Sequence, residues 1–176
     1  MAEPVASPAA PWTDAYIGLG SNLDDPRAQV LRAAAALTEL RRSRFVRLSP
    51  LYASRPLGGM AQPDYINAVA AMNTQLSPEE LLDELQGIES RMGRPAIRER
   101  WGPRIIDLDL LLVGQHRCTT PRLTLPHPGI VQRSFVLYPL AELAPELVLP
   151  GLGRVSELRD RASTAGLQRL PEVPER

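Results

Sequence analysis

Two helical segments, each placed between β-prone segments, constrain the fold of this chain more than any other feature. The first β-prone segment covers residues 15–20 and runs into glycine, serine and asparagine, which is typical of a strand that ends in a turn. Asp24 or Asp25 can then cap a helix whose apolar residues recur at helical spacing. Residues 45–54 alternate apolar and polar side chains, which predicts a second strand with a kink near Pro50.

The same alternation of strand and helix follows once more along the chain. Residues 65–76 read as a strand, and Ser77 with Glu80 has the spacing of a capping box at the start of a helix over residues 78–92. Residues 105–113 are almost continuously apolar and predict a buried strand. The order β-α-β-β-α-β is that of the ferredoxin-like α+β class, in which two helices pack on one face of an antiparallel sheet.

The two ends of the chain lack these patterns. Residues 1–13 are rich in proline and alanine, and residues 161–176 mix charged residues with turn formers, so we expect flexible tails at both ends. Residues 14–160 then form a single domain of ordinary size. We also expect an extra C-terminal helix that begins near Pro128 and continues to Leu143.

The composition argues against several classes of partner. Lys+Arg and Asp+Glu number 20 each, so the formal net charge is 0 and offers no broad attraction for nucleic acid or a membrane surface. An RNA-binding sheet, an alternative for this fold class, needs aromatic strands and a basic face, whereas only 5% of the residues are aromatic. The single cysteine and the lack of a secretion signal favour the cytoplasm. We expect a monomer that acts on small molecules.

Asp107 and Asp109 interrupt the apolar segment 105–113 and are the first candidates for chemistry. A period of two places both carboxylates on one face of a strand. Oxygen ligands at that spacing suit Mg²⁺, which takes one or two carboxylates and completes its shell with water and substrate phosphates. Structural ion pairs with Arg100 and Arg104, just upstream, explain the same residues, so spacing alone leaves both interpretations open.

Arginines are concentrated close to these carboxylates, and the chain contains no lysine. One short segment carries Arg91, Arg94, Arg98, Arg100 and Arg104. Arg122 and Arg133 follow, with His127 held between two prolines. Guanidinium groups bind two phosphate oxygens at once, so the cluster suits a polyphosphate site. A solvated charged loop, and a turn histidine with a structural role, are the alternatives.

Other residues offer weaker signals. Tyr65, Trp101 and Phe135 are three of only eight aromatic residues, and they could stack on a flat heterocycle or simply pack in the core. Gln86 and Glu89 share one side of a predicted helix, which solvent exposure explains equally well. The glycines of residues 18–22 indicate a tight turn, because the segment lacks the ending of a phosphate-binding loop.

Several of these segments resemble one known family. The run RWGPRIIDLDLL at residues 100–111 is similar to the signature of the 6-hydroxymethyl-7,8-dihydropterin pyrophosphokinase family of the folate pathway. The similarity extends to AYIGLGSNL, PLGGMAQPDYINAV, PEELLDELQGIE, LTLPH and RSFVLYPLAELAPEL, so it covers residues 14–150. Members transfer the β,γ-diphosphoryl group of ATP to the pterin hydroxymethyl oxygen and release AMP. The resemblance therefore implies an ATP-dependent diphosphotransferase.

The resemblance also implies roles for individual residues. Two Mg²⁺ ions would be bound by Asp107 and Asp109, which with Arg94 and Arg104 form the expected catalytic set. The residues that match ATP-binding positions are Gln86, Arg94, Arg104, Leu110, Arg122, Thr124, His127 and Arg133. The residues that match the pterin pocket are Ser54, Leu57, Tyr65, Asn67, Trp101 and Phe135. A relative that binds pterin without catalysis is the alternative within the family.

The sequence departs from the family pattern in two places. Pro95, Ala96 and Ile97 stand where better-known members carry basic residues, while Arg98 lies one place further on. Arg55 stands where a proline is familiar, at the expected edge of the pterin. Arg98 is therefore the residue of this segment that could take the place of the missing basic residues at the phosphates.

Overall fold

The structure is a computed structural model that describes residues 9–59, 61–95 and 102–172. Ala96, Ile97, Arg98, Arg100 and Trp101 lie outside the described residues, so what the sequence predicts for them stays a prediction. The strands and helices follow in the order β1 Thr13–Ser21, α1 Pro26–Thr38, β2 Ser43–Leu48, β3 Tyr52–Ser54, β4 Tyr65–Thr74, α2 Pro78–Arg91, β5 Asp107–Val113, β6 Cys118–Thr119, β7 Thr124–Leu125, α3 Ser134–Leu143, β8 Val148–Leu149, β9 Gly153–Arg154, α4 Val155–Arg161 and β10 Leu167–Arg169.

The central sheet is antiparallel and has six strands in the order β10-β3-β4-β1-β5, with β2 also paired to β4. Strands β1 and β2 both pair antiparallel with β4, so β1-α1-β2 is a crossover with β4 between its two strands. In the same way, β4-α2-β5 is a crossover with β1 between its two strands. Two such split βαβ units make the ferredoxin-like arrangement, and the α+β prediction is confirmed.

The local signals in the sequence account for both helix starts. The side chain of Asp25 accepts a hydrogen bond from the backbone N–H of Ala28 at 3.2 Å and caps α1. Ser77 and Glu80 form the predicted capping box at the start of α2. Both helices pack on the same face of the sheet, where apolar residues of the two helices meet Ile17 and Met72 in one core cluster.

Helices α3 and α4 cover the opposite face. Leu137, Leu140 and Val155 pack there against Leu111 of β5, in a second core cluster. Leu108 and Leu110 belong to the core beneath α1 and α2, so the alternation of β5 turns Asp107 and Asp109 toward the face that carries α3. The sheet therefore places both carboxylates beside the beginning of α3. Within the described part of the chain, no helix has the length and apolar character needed to cross a membrane.

Three boundary predictions are wrong. Residues 45–54 form two strands, β2 and β3, because Pro50 has no N–H to continue the ladder. The extra helix begins at Ser134 instead of Pro128, since the residues before it form turns, and a second helix, α4, follows it. The expected C-terminal tail contains β10, which pairs with β3.

Candidate active site

A cavity of about 120 Å³ opens on the α3 side of the sheet. Its charged lining consists of Arg55, Arg104, Asp107, Asp109 and Arg133. Its remaining lining consists of Gly18, Leu19, Gly20, Ser54, Leu57, Gln62, Tyr65, Asn67, Ala68, Phe135 and Val136. The cavity therefore has a charged side, formed by Arg104, Asp107 and Asp109 at β5 and by Arg133 just before α3. Its other side, next to β3 and β4, carries aromatic and amide groups together with Arg55.

Both strand carboxylates lie on the charged side and are paired with arginines. Asp107 Oδ2 is 3.2 Å from Arg104 Nη1, and Asp109 Oδ2 is 3.6 Å from Arg133 Nη1. The side chains of these four residues are 24–34% exposed, so the charges are half-buried at the cavity wall. Alternating cations and anions of this kind can bind a polyphosphate together with a divalent cation.

Arg94 occupies a different position from the one expected of a phosphate ligand. Its side chain is only 7% exposed and lies behind Asp107, with Nη1 2.7 Å from Asp107 Oδ1 and paired with Glu89. Glu89 is buried in α2 and also accepts a hydrogen bond from the backbone N–H of Leu108 at 3.2 Å. The structure therefore places Arg94 and Glu89 as supports for Asp107 and does not bring either one into the cavity.

Asn67 is the buried amide on the opposite side of the cavity. Its Nδ2 donates to Ser54 Oγ at 2.8 Å and to the carbonyl of Tyr52 at 3.3 Å. Both amide hydrogens are therefore used inside the protein, so the Asn67 amide nitrogen is not available as a donor to a ligand. The carbonyl Oδ1 is the atom that can accept a hydrogen bond from a ligand.

The aromatic side chains approach the cavity from different elements. Tyr65 lies at the start of β4 and donates from its hydroxyl to the carbonyl of Gly102 at 3.3 Å, and burial raises the pKa of this phenol. Phe135 lies in the first turn of α3, and the guanidinium carbon of Arg133 is 5.9 Å from its ring centroid. The predicted pterin residues Ser54, Leu57, Tyr65, Asn67 and Phe135 thus all line one cavity.

The predicted ATP residues do not all reach this cavity. Arg104 and Arg133 line it, whereas Thr124 and His127 line a second, more open hollow formed with the β6–β7 hairpin and residues 150–152. Gln86 is exposed on α2, and Arg122 pairs at 2.5 Å with Asp83 on the same helix. The side chain of Leu110 is buried in the core beneath α1 and α2, so it is not available to a ligand.

His127 is held in one tautomer by its surroundings. Its Nδ1 accepts a hydrogen bond from the backbone N–H of Gly129 at 3.0 Å, which leaves the proton of the neutral ring on Nε2. Burial, with a contribution from Arg133, lowers the pKa of His127 to about 4. At neutral pH the ring is therefore an uncharged donor from Nε2, the form that can bind a phosphate oxygen.

Gly129 lies directly beneath the side chain of Arg133. A Cβ at residue 129 would lie 2.7 Å from Arg133 Nε and 2.8 Å from Cζ, closer than real contacts allow. The arginine stem therefore crosses the bare glycine backbone on its way to Asp109. Nothing in the sequence alone singled out this glycine, because its contact is with a side chain.

Asn22 is the main site residue that the sequence patterns missed. Its Oδ1 accepts from the backbone N–H of Arg104 at 2.8 Å, and its own N–H donates to the Arg104 carbonyl at 3.0 Å. Its Nδ2 donates to Gln62 Oε1 at 2.9 Å and to the carbonyl of Pro63 at 3.0 Å. This buried residue thus joins the turn after β1 to the two loops that border the cavity.

The donor chemistry at the charged side fits Mg²⁺. Among the described residues no group of three or more His, Cys, Asp or Glu side chains could hold a metal ion. Two carboxylates on one cavity wall leave most of a coordination shell to water and ligand oxygens, which is how Mg²⁺ is bound beside phosphates. Asp107 and Asp109 are therefore the residues that could hold the cation.

Comparison with known proteins identifies the family. Residues 16–145 match the family model described as 7,8-dihydro-6-hydroxymethylpterin-pyrophosphokinase (HPPK). The chain belongs to this family. A Pseudomonas aeruginosa protein named 2-amino-4-hydroxy-6-hydroxymethyldihydropteridine pyrophosphokinase is 49% identical over 157 residues, which cover 89% of this chain and 96% of that protein. A Haemophilus influenzae protein of the same name is also 49% identical, over 82% of this chain and 89% of its own length.

Solved structures agree with the HPPK fold. A crystal structure of Plasmodium falciparum HPPK-DHPS with pteroate superposes with a TM-score of 0.69 at 14% identity and covers 88% of this chain. This chain spans only 43% of that longer protein. At this level of identity the similarity shows the fold alone, and it agrees with the split βαβ arrangement described above.

Proposed function

We propose that this HPPK-family chain transfers the β,γ-diphosphoryl group of ATP to the hydroxymethyl oxygen of 6-hydroxymethyl-7,8-dihydropterin in folate biosynthesis. The hydroxymethyl oxygen forms a bond to the β-phosphorus and gives up its proton to solvent, the bond from that phosphorus to the α,β-bridging oxygen breaks, and AMP leaves with that oxygen. The observation that supports this proposal is that one cavity carries arginines and carboxylates on one side and a buried amide with aromatic rings on the other.

The pterin takes the side of the cavity formed by β3, β4 and the start of α3. Asn67 Oδ1 accepts a hydrogen bond from the edge of the heterocycle, while Phe135 and Tyr65 contact its faces. Ser54 and Leu57 complete this side. This arrangement holds the hydroxymethyl group toward β5, where the phosphates bind.

The phosphates take the charged side. Arg104 and Arg133 bind phosphate oxygens, and His127 is a further donor from the neighbouring hollow. Asp107 and Asp109 hold two Mg²⁺ ions, which when bound neutralise charge that develops on the phosphates. Arg94 fixes the position of Asp107 from behind, and Gln86, Arg122 and Thr124 are the candidates for the nucleoside end of ATP.

The minimal active unit in this proposal is a monomer. We propose that the enzyme works in the cytoplasm on these two small molecules, and that residues 14–160 with the β10 strand form its single domain.

Formation of AMP tests the proposed function directly. With Mg²⁺ and ATP, the protein should release AMP only when the hydroxymethyl pterin is present, in a ratio of one AMP per pterin consumed. Chromatography of the nucleotides measures this. Release of ADP, or release of AMP that does not depend on the pterin, would contradict the assignment.

Arg104→Lys tests whether the Arg104 guanidinium binds two phosphate oxygens at once, an interaction called a phosphate clamp below. Lysine keeps the charge but loses the planar fork, so we expect kcat/KM to fall by about tenfold or more. Arg41→Lys is the matched control, because Arg41 is exposed and lies outside the cavity. Steady-state kinetics of both variants provide the comparison, and equal effects would show that Arg104 is not a clamp.

A further inference from the structure

The C-terminal strand β10 pairs with β3, which borders the substrate cavity, although β10 lies beyond the residues matched by the family model. Leu167 and Arg169 of β10 are opposite Ser54 and Tyr52 of β3, and the N–H of Leu170 donates to the carbonyl of Leu51 at 2.8 Å. Strand β3 would otherwise be a three-residue edge strand, and short edge strands open readily. Its last residue, Ser54, lines the cavity and accepts the hydrogen bond from Asn67.

A side-chain junction joins β10, β3 and α3. The Arg169 guanidinium forms a bidentate interaction with the Glu142 carboxylate of α3. Nε donates to Oε1 at 2.8 Å and Nη2 donates to Oε2 at 3.2 Å. The hydroxyl of Tyr52 donates to the same Oε1. Burial alone raises the pKa of Glu142, but the hydrogen bonds from Arg169 and Tyr52 outweigh it and leave that pKa below its ordinary value.

The junction connects β3 and α3, the two elements that carry Ser54 and Phe135 on the pterin side of the cavity. Tyr52 is two residues before Ser54 on β3, and Glu142 is two helical turns after Phe135 on α3. Gly166, which precedes β10 and has a φ of 72°, lies close to the Arg55 side chain, because a Cβ added at this glycine would be 3.1 Å from Arg55 Cδ. The C-terminal segment therefore also passes near the cavity rim.

We propose that Arg169 is a positioning residue for the pterin side of the cavity, which it holds through Glu142 and Tyr52 by fixing β3 against α3. This inference rests on the proposed assignment of that side to the pterin. Asp107 and Asp109 lie on β5 and Arg104 lies just before it, and the junction does not touch that strand. Loss of the junction should therefore affect the pterin much more than ATP.

Arg169→Met, Arg169→Lys and Arg154→Met test this proposal. Methionine keeps an unbranched stem but removes the fork, so we expect KM for the pterin to rise by about tenfold while KM for ATP changes by less than about twofold. Lysine should restore part of the loss. Arg154→Met is the matched control, since Arg154 forms an exposed ion pair with Glu146 at 2.8 Å away from the cavity.

The outcomes separate the possible explanations. If Arg169→Met and Arg154→Met leave KM for the pterin equally unchanged, the positioning role is wrong. If KM for both substrates rises together with a lower melting temperature, Arg169 serves general stability only, and the proposal is again overturned. If Arg169→Met does not fold, Glu142→Gln repeats the test, because glutamine keeps the shape of the side chain and one hydrogen-bond acceptor. Absence of AMP formation by the parent protein would instead contradict the proposed function.

Discussion

Asp109→Asn is expected to lower kcat by about a thousandfold or more while the fold is retained, because the change removes a charged metal ligand from the cavity wall. Asp109 is 34% exposed and pairs with Arg133 at 3.6 Å, so its loss leaves no deeply buried charge behind. Circular dichroism should show the parent spectrum. Rapid-quench or steady-state assays at saturating Mg²⁺ measure the rate.

Asp14→Asn is the control for this change. Asp14 lies on β1 of the same sheet, is exposed, and accepts a hydrogen bond from Asn73 at 2.8 Å outside the cavity. It should keep the parental rate. Activity of Asp109→Asn within about tenfold of the parent would rule out the metal assignment.

Phe135→Ala is expected to weaken pterin binding by about tenfold or more, since it removes a stacking face and its buried area. Affinity for a non-hydrolysable ATP analogue with Mg²⁺ should stay within about twofold, because Phe135 lies on the side assigned to the pterin. Asn67→Ala should have a similar effect, as it removes the acceptor Oδ1 and the bond that holds Ser54. Calorimetric titration with each ligand measures the two affinities.

Phe45→Ala provides the matched control. Phe45 is a half-buried aromatic residue of β2 that packs against the core beneath α1 and α2, on the other face of the sheet. Its loss should lower the melting temperature without a selective effect on the pterin. If Phe135→Ala impairs the nucleotide and spares the pterin, the two sides of the cavity have been assigned in the wrong order.

Local patterns predicted the fold where neighbouring residues decide the structure. The capping box of Ser77 and Glu80 and the alternation around Asp107 and Asp109 depend only on spacing, and the structure shows both. Strand β10 was missed because its pairing partner, β3, lies more than a hundred residues earlier in the chain. Its three residues carry too little periodicity to be distinguished from a tail.

In the candidate site, too, sequence spacing predicted some residue positions and not those that depend on contacts between distant parts of the chain. Residue type and position correctly grouped Arg104 and Arg133 with the two carboxylates. Spacing could not show that Arg94 turns inward to Glu89 and Asp107, because an arginine in a charged loop usually points to solvent. The role of Asn22 was also hidden, since it binds the backbone of Arg104, 82 residues away.

Transfer of label from ATP is the most direct measurement of the central claim. With Mg²⁺ and the hydroxymethyl pterin, ATP labelled at the γ-phosphorus should give a labelled pterin product, whereas ATP labelled at the α-phosphorus should give labelled AMP and unlabelled pterin. This result requires that the β- and γ-phosphoryl groups move together. Label from the γ-phosphorus that appears in free phosphate, or in a pterin monophosphate accompanied by ADP, would contradict the account.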